Sequence, residues 1–300
     1  MKDVQQLERR NDGLIVRAPA KLNLSLLIAG QRPDGFHEIE TVMAKIDWYD
    51  EIRIEPAQQD RIEFFCEGPC WAPSDQTNLV HRAAELLLSI AGKAPRIRLT
   101  LTKNVPAGSG LGSGSSDAAA TLLGLTAYLQ LEQSTSQLAE MAARLGSDVA
   151  FFLNGPLALC TGRGEKVTAL TGTFPFAALL ILPQVHSSTK EVYARYVHDP
   201  ARYQQLHSQL QTCIRKNRVD GAAQGCVNML ERSCFRLYEE LGALKEALEG
   251  LGLGPVCLSG SGSTLFCLRE GGEVERLEKW RDVILDKTGC ESRVVRNNPW

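Results

Sequence analysis

The residues best suited to chemistry lie in the run PAGSGLGSGSSDAAA, from Pro106 to Ala120. Four glycines at alternate positions, Gly108, Gly110, Gly112 and Gly114, permit positive φ angles and close backbone approach, and the Ala- and Leu-rich stretch behind them is a strong helix former. Such a loop delivers free amides to the positive end of a helix, where phosphate oxygens bind without a basic side chain. Ser115 and Ser116 add hydroxyls for phosphate or magnesium contact, and Asp117, read as lying in the first turn, would complement the helix dipole. Gly/Ser density also suits a flexible linker. A linker is not expected between the apolar strand RIRLTLT and a helix of Ala, Leu and Thr, where each glycine costs about 1 kcal/mol of backbone entropy. The run has neither the GK[ST] ending of a P-loop nor a GxSxG nucleophile elbow.

A backbone anion site is what the composition calls for. With 33 basic against 35 acidic side chains and a formal net charge of -2, the 300-residue chain has no global field for a nucleic-acid backbone or an anionic membrane. At 44% hydrophobic and 23% charged it is of ordinary globular composition. The nine cysteines show no CxxC pair or disulfide framework, so ordinary reduced thiols are expected in place of a metal site, as suits a cytoplasmic protein. The longest apolar run, Phe176 to Leu182, is too short to span a bilayer.

Around the loop, alternation from Leu14 to Phe65 predicts four antiparallel strands: LIVRAPA, LNLSLLIAG, HEIETVMAKI and WYDEIRIEP. A helix from Asn78 to Ala91, a strand from Arg96 to Thr102 and a helix from Ser115 to Leu131 follow, and strand-like residues run from Leu157 to Thr168. The segment LTGTFP, Leu170 to Pro175, reads as a junction, giving an N-terminal nucleotide-binding domain over 1–172 and a C-terminal substrate-binding domain over 173–300. Beyond it come the strand FAALLILP, a single helix from Arg236 to Leu251, strands PVCLS and TLFCL flanking a GSGS loop, a helix and a last strand near Arg293 to Val295. The fold class is α+β in two lobes, with a frayed tail before Leu14 as the default.

The loop resembles the phosphate-binding motif of the galactokinase, homoserine kinase and mevalonate kinase (GHMP) superfamily, and two further segments, APAKLN at Ala18 to Asn23 and LSGSGSTL at Leu258 to Leu265, match it in the same order. The run Pro19 to Val42, PAKLNLSLLIAGQRPDGFHEIETV, and the segment Leu145 to Glu165 are similar to the cytidine-diphosphate-methylerythritol kinases. That resemblance implies a two-lobed GHMP kinase fold and transfer of a phosphoryl group from ATP, with accompanying Mg2+, to the 2-hydroxyl of 4-(cytidine 5'-diphospho)-2-C-methyl-D-erythritol. Other readings keep the fold and change the acceptor to mevalonate or homoserine, or keep it as a ligand sensor without turnover.

Carried over residue by residue, the resemblance makes Asp148 the base that takes the hydroxyl proton and Lys21 the cation beside it. From the residues alone, Asp148 in GSD could equally cap a turn, and Lys21 could be a solvated strand residue. ATP would lie on Pro106, Ala107, Gly108, Ser109, Gly110, Leu111, Gly112, Ser113, Gly114, Ser115 and Ser116, with Asn78 and Lys103 around the adenine. For the acceptor, the resemblance implies cytosine stacked between Phe36, at a position usually tyrosine, and Tyr193, with His37 on its polar edge. Asn23 and Thr189 would contact the acceptor, and Gly260 and Ser261 would close the pocket. His81, His186, His198 and His207 show no ligand spacing.

Overall fold

The computed structural model describes residues 5–10, 13–94, 96–171, 174–216, 227–271 and 273–300. Its frame is a long antiparallel hairpin, β2 (Gly13–Gln31) and β3 (His37–Pro56), closed by a turn in which Arg32 N–H donates to the Phe36 carbonyl at 2.7 Å. The four strands expected between Leu14 and Pro56 are therefore two. Both expected breaks, at Lys21 and at Asp47, fall at a single irregularity in the register, where the Pro19–Tyr49 pair gives way to Lys21–Lys45 without ending either strand. The tail expected to fray is also ordered in part: β1 (Leu7–Arg10) pairs with β2, and Arg17 ties it down through Glu8 at 2.9 Å.

β3 is long enough to change partners along one edge. Residues 51–56 pair with β5 (Ile97–Thr102), which pairs in parallel with β4 (Ile62–Glu67) across the crossover helix α1 (Leu79–Ala91). Residues 39–44 pair with β6 (Leu157–Gly162), which forms a hairpin with β7 (Lys166–Ala169). The gap between those partners is filled by irregular chain. Lys45 N–H donates to the Pro156 carbonyl at 2.8 Å, and the Asp50 carboxylate accepts the backbone N–H groups of Asn104 and Val105 at 2.6 and 2.8 Å. The glycine loop leaves the end of β5 at this gap, so partner exchange in β3 determines where the site lies.

α2 (Ser113–Tyr128), α3 (Thr135–Leu145) and the short α4 (Val149–Phe152) pack with α1 over one face of this sheet around Leu87, Leu99, Leu122 and Phe151. The other face shares a continuous core with a second antiparallel sheet of order β11-β8-β10-β9, built from β8 (Phe176–Leu182), β9 (Val256–Leu258), β10 (Leu265–Glu270) and β11 (Glu291–Arg296). β8 is apolar throughout because both of its faces are covered. Helices α5 (Thr189–Ala194), α6 (Pro200–Arg215), α7 (Glu231–Leu237), α8 (Glu239–Gly250) and α9 (Val274–Thr288) complete this half.

The single helix expected from Arg236 to Leu251 is two, α7 and α8, because Tyr238 leaves helical geometry at φ −126° and ψ 77° while its hydroxyl accepts the Ser188 N–H at 2.9 Å. The junction expected between 172 and 173 lies outside the described residues. Cys66, Cys70, Cys160, Cys213, Cys234, Cys267 and Cys290 are free thiols, whereas Cys257 is disulfide-bonded, a departure from the expectation of reduced thiols.

Candidate active site

Three segments distant in sequence meet at the gap in β3. From β2 comes Lys21, 3% exposed. The irregularity at Pro19/Lys21 frees its N–H to donate to the Leu111 carbonyl in the glycine loop at 2.9 Å. Its ammonium donates to Asn23 Oδ1 at 2.5 Å and to the Gly110 carbonyl at 2.7 Å, with Asp148 Oδ2 at 3.9 Å. From the third, the loop between β9 and β10, Ser259 Oγ donates to the same Gly110 carbonyl at 2.9 Å, and Thr264 N–H donates to the Ser109 carbonyl at 3.0 Å.

The loop glycines are needed for this convergence. Gly110 has φ +82°, and a Cβ there would stand 2.2 Å from the Ser259 carbonyl oxygen and 3.0 Å from that of Gly262. Gly112, at φ +68°, is the N-cap of α2, and a Cβ on it would press on the Lys21 stem at 2.9 Å. With no side-chain cap, the first-turn amides of α2 are left for a ligand. The serines divide in role. Ser109 and Ser113 hydroxyls donate to the Pro106 carbonyl at 2.8 and 3.3 Å and brace the loop. Ser116 is sealed in the core with its Oγ unpaired, so Ser115, half-buried beside Gly146, is the hydroxyl that faces the Asp148 turn.

Asp148 begins α4 without capping it, so its carboxylate is not spent on the helix, and its side chain is 29% exposed. Burial pushes the Lys21 ammonium below its usual range, and the charge of Asp148 opposes that shift. Two neutral acceptors and one carboxylate thus surround the Lys21 Nζ, an arrangement suited to charge on a transferring phosphoryl group. Asn23 is locked in turn, donating to Thr41 Oγ1 at 2.8 Å while Thr41 donates to the Ser25 carbonyl at 2.6 Å.

Two residues expected around adenine are committed elsewhere. Lys103, 1% exposed, donates to Asp50 at 2.5 Å and to Asp117 at 2.7 Å. Its ammonium is a buried strut beneath the loop and not a ligand contact. Asp117 is correspondingly beyond the first turn of α2 and pairs with Lys103, not with the helix dipole, and burial raises its pKa. Asn78 caps α1, accepting the Val80 N–H at 2.9 Å and donating to the Pro73 carbonyl at 2.7 Å, which leaves its side chain little to offer a base.

On the acceptor side, the Tyr193 ring lies against His37, with centroids 5.2 Å apart, while Tyr196 meets His37 edge-on at 5.7 Å. Phe36 is 50% exposed, with the Arg163 guanidinium 4.9 Å from its ring centre. Phe36 ends the β2–β3 turn and His37 begins β3, so the expected sandwich has one wall at that turn and one on α5. Thr189 Oγ1 and Ser261 Oγ share a hydrogen bond of 2.7 Å, joining α5 to the β9–β10 loop. Gly260 lies at the Lys21–Asn23 pair, where a Cβ would stand 3.2 Å from Asn23 Oδ1.

Sequence reading missed Ser259, Thr41, Asn228 and His186. Asn228 donates to the Leu258 and Gly260 carbonyls at 2.9 and 2.7 Å, and the His186 ring closes on Gly108. Only Ser259, inside the LSGSGS segment, carried a local signal; the others are polar residues in unremarkable surroundings until the chain folds.

The chain matches the GHMP kinases N terminal domain over residues 78–156 and the GHMP kinases C terminal domain over residues 210–281. It is 38% identical to a 4-diphosphocytidyl-2-C-methyl-D-erythritol kinase of Geobacillus sp. (strain WCH70) and 36% identical to one of Bacillus pumilus (strain SAFR-032), each alignment covering 85% of this chain and 88% of the relative. A crystal structure of 4-(cytidine 5'-diphospho)-2C-methyl-D-erythritol kinase superposes with a TM-score of 0.71 at 31% identity, over 95% of this chain and 99% of that one. A homoserine kinase from Cytophaga hutchinsonii superposes at 0.75 with 21% identity, over 97% and 96% of the two chains, a likeness of fold alone. With matched residues covering the glycine loop, the Asp148 turn and the β9–β10 loop, and with curated relatives aligned over 85% of its length, the chain belongs to the GHMP kinases, within the family of 4-diphosphocytidyl-2-C-methyl-D-erythritol kinases.

Proposed function

We propose that this protein transfers the γ-phosphoryl group of ATP to the 2-hydroxyl of 4-(cytidine 5'-diphospho)-2-C-methyl-D-erythritol. The observation that carries the reading is the Lys21 ammonium, held by Asn23 and the Gly110 carbonyl with Asp148 at 3.9 Å, at the mouth of an uncapped helix. The amides of the loop and of α2 bind the triphosphate. The acceptor hydroxyl sits between Lys21 and Asp148, its proton passes to the Asp148 carboxylate as the oxygen–phosphorus bond forms, and the bond from phosphorus to the β-phosphate oxygen breaks to release ADP. Such a loose, charge-spread transition state gains most from alignment and fixed positive charge.

The described residues contain no cluster of three acidic, His or Cys side chains for a resident metal. Mg2+ would accompany the nucleotide, where the half-buried Ser115 hydroxyl would help to hold it and the ion would neutralise phosphate charge. The cytosine would be read by His37 and stacked on Tyr193 and Phe36. Residues 1–172 would carry the nucleotide and 173–300 close over the acceptor. No helix among the described residues is long and apolar enough to cross a membrane.

The test is ADP release, coupled to a second enzyme, with the cytidine substrate, mevalonate and homoserine offered in turn. The cytidine substrate should give the highest kcat/KM; preference for mevalonate or homoserine would overturn the assignment.

A further inference from the structure

Away from this site, the turn between α5 and α6 and the outer face of α7 enclose a pocket of about 380 Å3. Four arginines line it: Arg195 at the C-cap of α5, Arg202 in the first turn of α6, and Arg232 and Arg236 one helical turn apart on α7. Asp199 is the sole acidic side chain of the lining, leaving a surplus of three positive charges, and its Oδ1 is already used on the Arg202 N–H at 3.0 Å. Glu231, next to Arg232, is taken by Lys245 at 2.6 Å. Among the described residues none of the four guanidiniums has a carboxylate partner, although arginines elsewhere on the surface, such as Arg32 and Arg281, do.

Unrelieved like charge in a concavity is unfavourable, and Arg232 and Arg236 are at a spacing where like charges repel. Planar guanidinium forks match phosphate oxygens two at a time. The pocket lies at the small end of the range for small-molecule sites, which favours a compact ligand over a polymer. We propose that this pocket is a second anion site, distinct from the glycine loop, which takes a small molecule carrying two or more phosphate groups. A single orthophosphate would leave part of the surplus charge unmatched. Tyr196 forms one wall and also meets His37 edge-on, so the pocket adjoins the acceptor region through one ring.

Inorganic pyrophosphate is the probe, titrated calorimetrically into protein saturated with the non-hydrolysable ATP analogue AMPPNP, so that the glycine loop is blocked. The proposal does not depend on catalysis, and its failure would leave the kinase reading standing. Wild-type protein should bind about one equivalent, and Arg232→Glu with Arg236→Glu should weaken this at least about tenfold with AMPPNP affinity unchanged. All four arginines are exposed, so the fold should tolerate their replacement; Arg195→Gln with Arg202→Gln provides a milder second pair with the same expected loss. No pyrophosphate binding once AMPPNP is bound, equal binding by both altered proteins, or tighter binding of a short oligonucleotide than of pyrophosphate would each overturn it.

Discussion

Two glycines four residues apart in one loop should respond oppositely to the same added methyl group. At Gly110 the change to Ala forces φ +82° on a residue with a Cβ, a cost of about 1–3 kcal/mol. It also sets that carbon 2.2 Å from the Ser259 carbonyl oxygen, where real contacts of this kind do not fall below 3.0 Å, so one segment must retreat by at least 0.8 Å. Relief of such overpacking costs about another 1–3 kcal/mol, for a total of about 2–6 kcal/mol. The group that moves is the carbonyl that accepts from Lys21 and Ser259, so the phosphoryl-transfer rate should fall about 100-fold for a displacement approaching 1 Å. At Gly114, in the first turn of α2, the nearest atom to a new Cβ is Leu79 Cδ1 at an ordinary 3.5 Å, and no positive φ is required. Gly114→Ala should therefore hold or gain stability, by up to about 1 kcal/mol from helix propensity. Urea denaturation and steady-state kinetics on both variants decide the matter. Equal stability of the two would refute the packing argument, and a destabilised Gly110→Ala enzyme with normal kcat would show that the Gly110 carbonyl does not orient Lys21.

Asp148→Asn should keep nucleotide binding while lowering kcat by a factor of about 10² or more, measured by coupled ADP release; unchanged turnover would remove Asp148 from the role of base. In the strut beneath the loop, Asp50→Asn should cost about 3–5 kcal/mol, because Asp50 accepts two backbone N–H groups and the Lys103 ammonium, whereas Asp117→Asn should be near neutral. Asp117 Oδ1 has no partner, and an amide there leaves Lys103 balanced by Asp50 alone; equal losses in urea midpoints would refute the distinction. Lys45, fully buried, donates to the Phe152 and Asn154 carbonyls, and burial lowers its pKa from 10.5 to about 8. Between those pH values the unfolded chain holds a proton the folded one has released, so stability rises with pH, by about 3 kcal/mol over the window relative to Lys45→Met. Urea unfolding of both proteins at pH 7.5 and 10.5 measures that difference, and parallel pH profiles would contradict it.

Local pattern in the sequence was enough for the glycine loop before α2, for α1, and for the apolar strand at Phe176–Leu182, because propensity and hydrophobic period act over a few residues. Family resemblance supplied the pairing of Lys21 with Asp148, which residue type alone left open between catalysis and ordinary structure. What tertiary structure alone decided is the state of each charge. Lys21, Lys45 and Lys103 are all lysines on strands or at strand ends, yet one faces a carboxylate and a loop carbonyl, one faces two carbonyls, and one is clamped between two aspartates. Those environments come from the gap where β3 exchanges β5 for β6, a long-range event that no window of sequence contains. The same holds for Tyr238, whose hydroxyl reaches Ser188 fifty positions away and divides a helix that periodicity would have continued. Periodicity records which face of an element is apolar; which charge a buried lysine meets depends on chain segments that only folding brings within 4 Å.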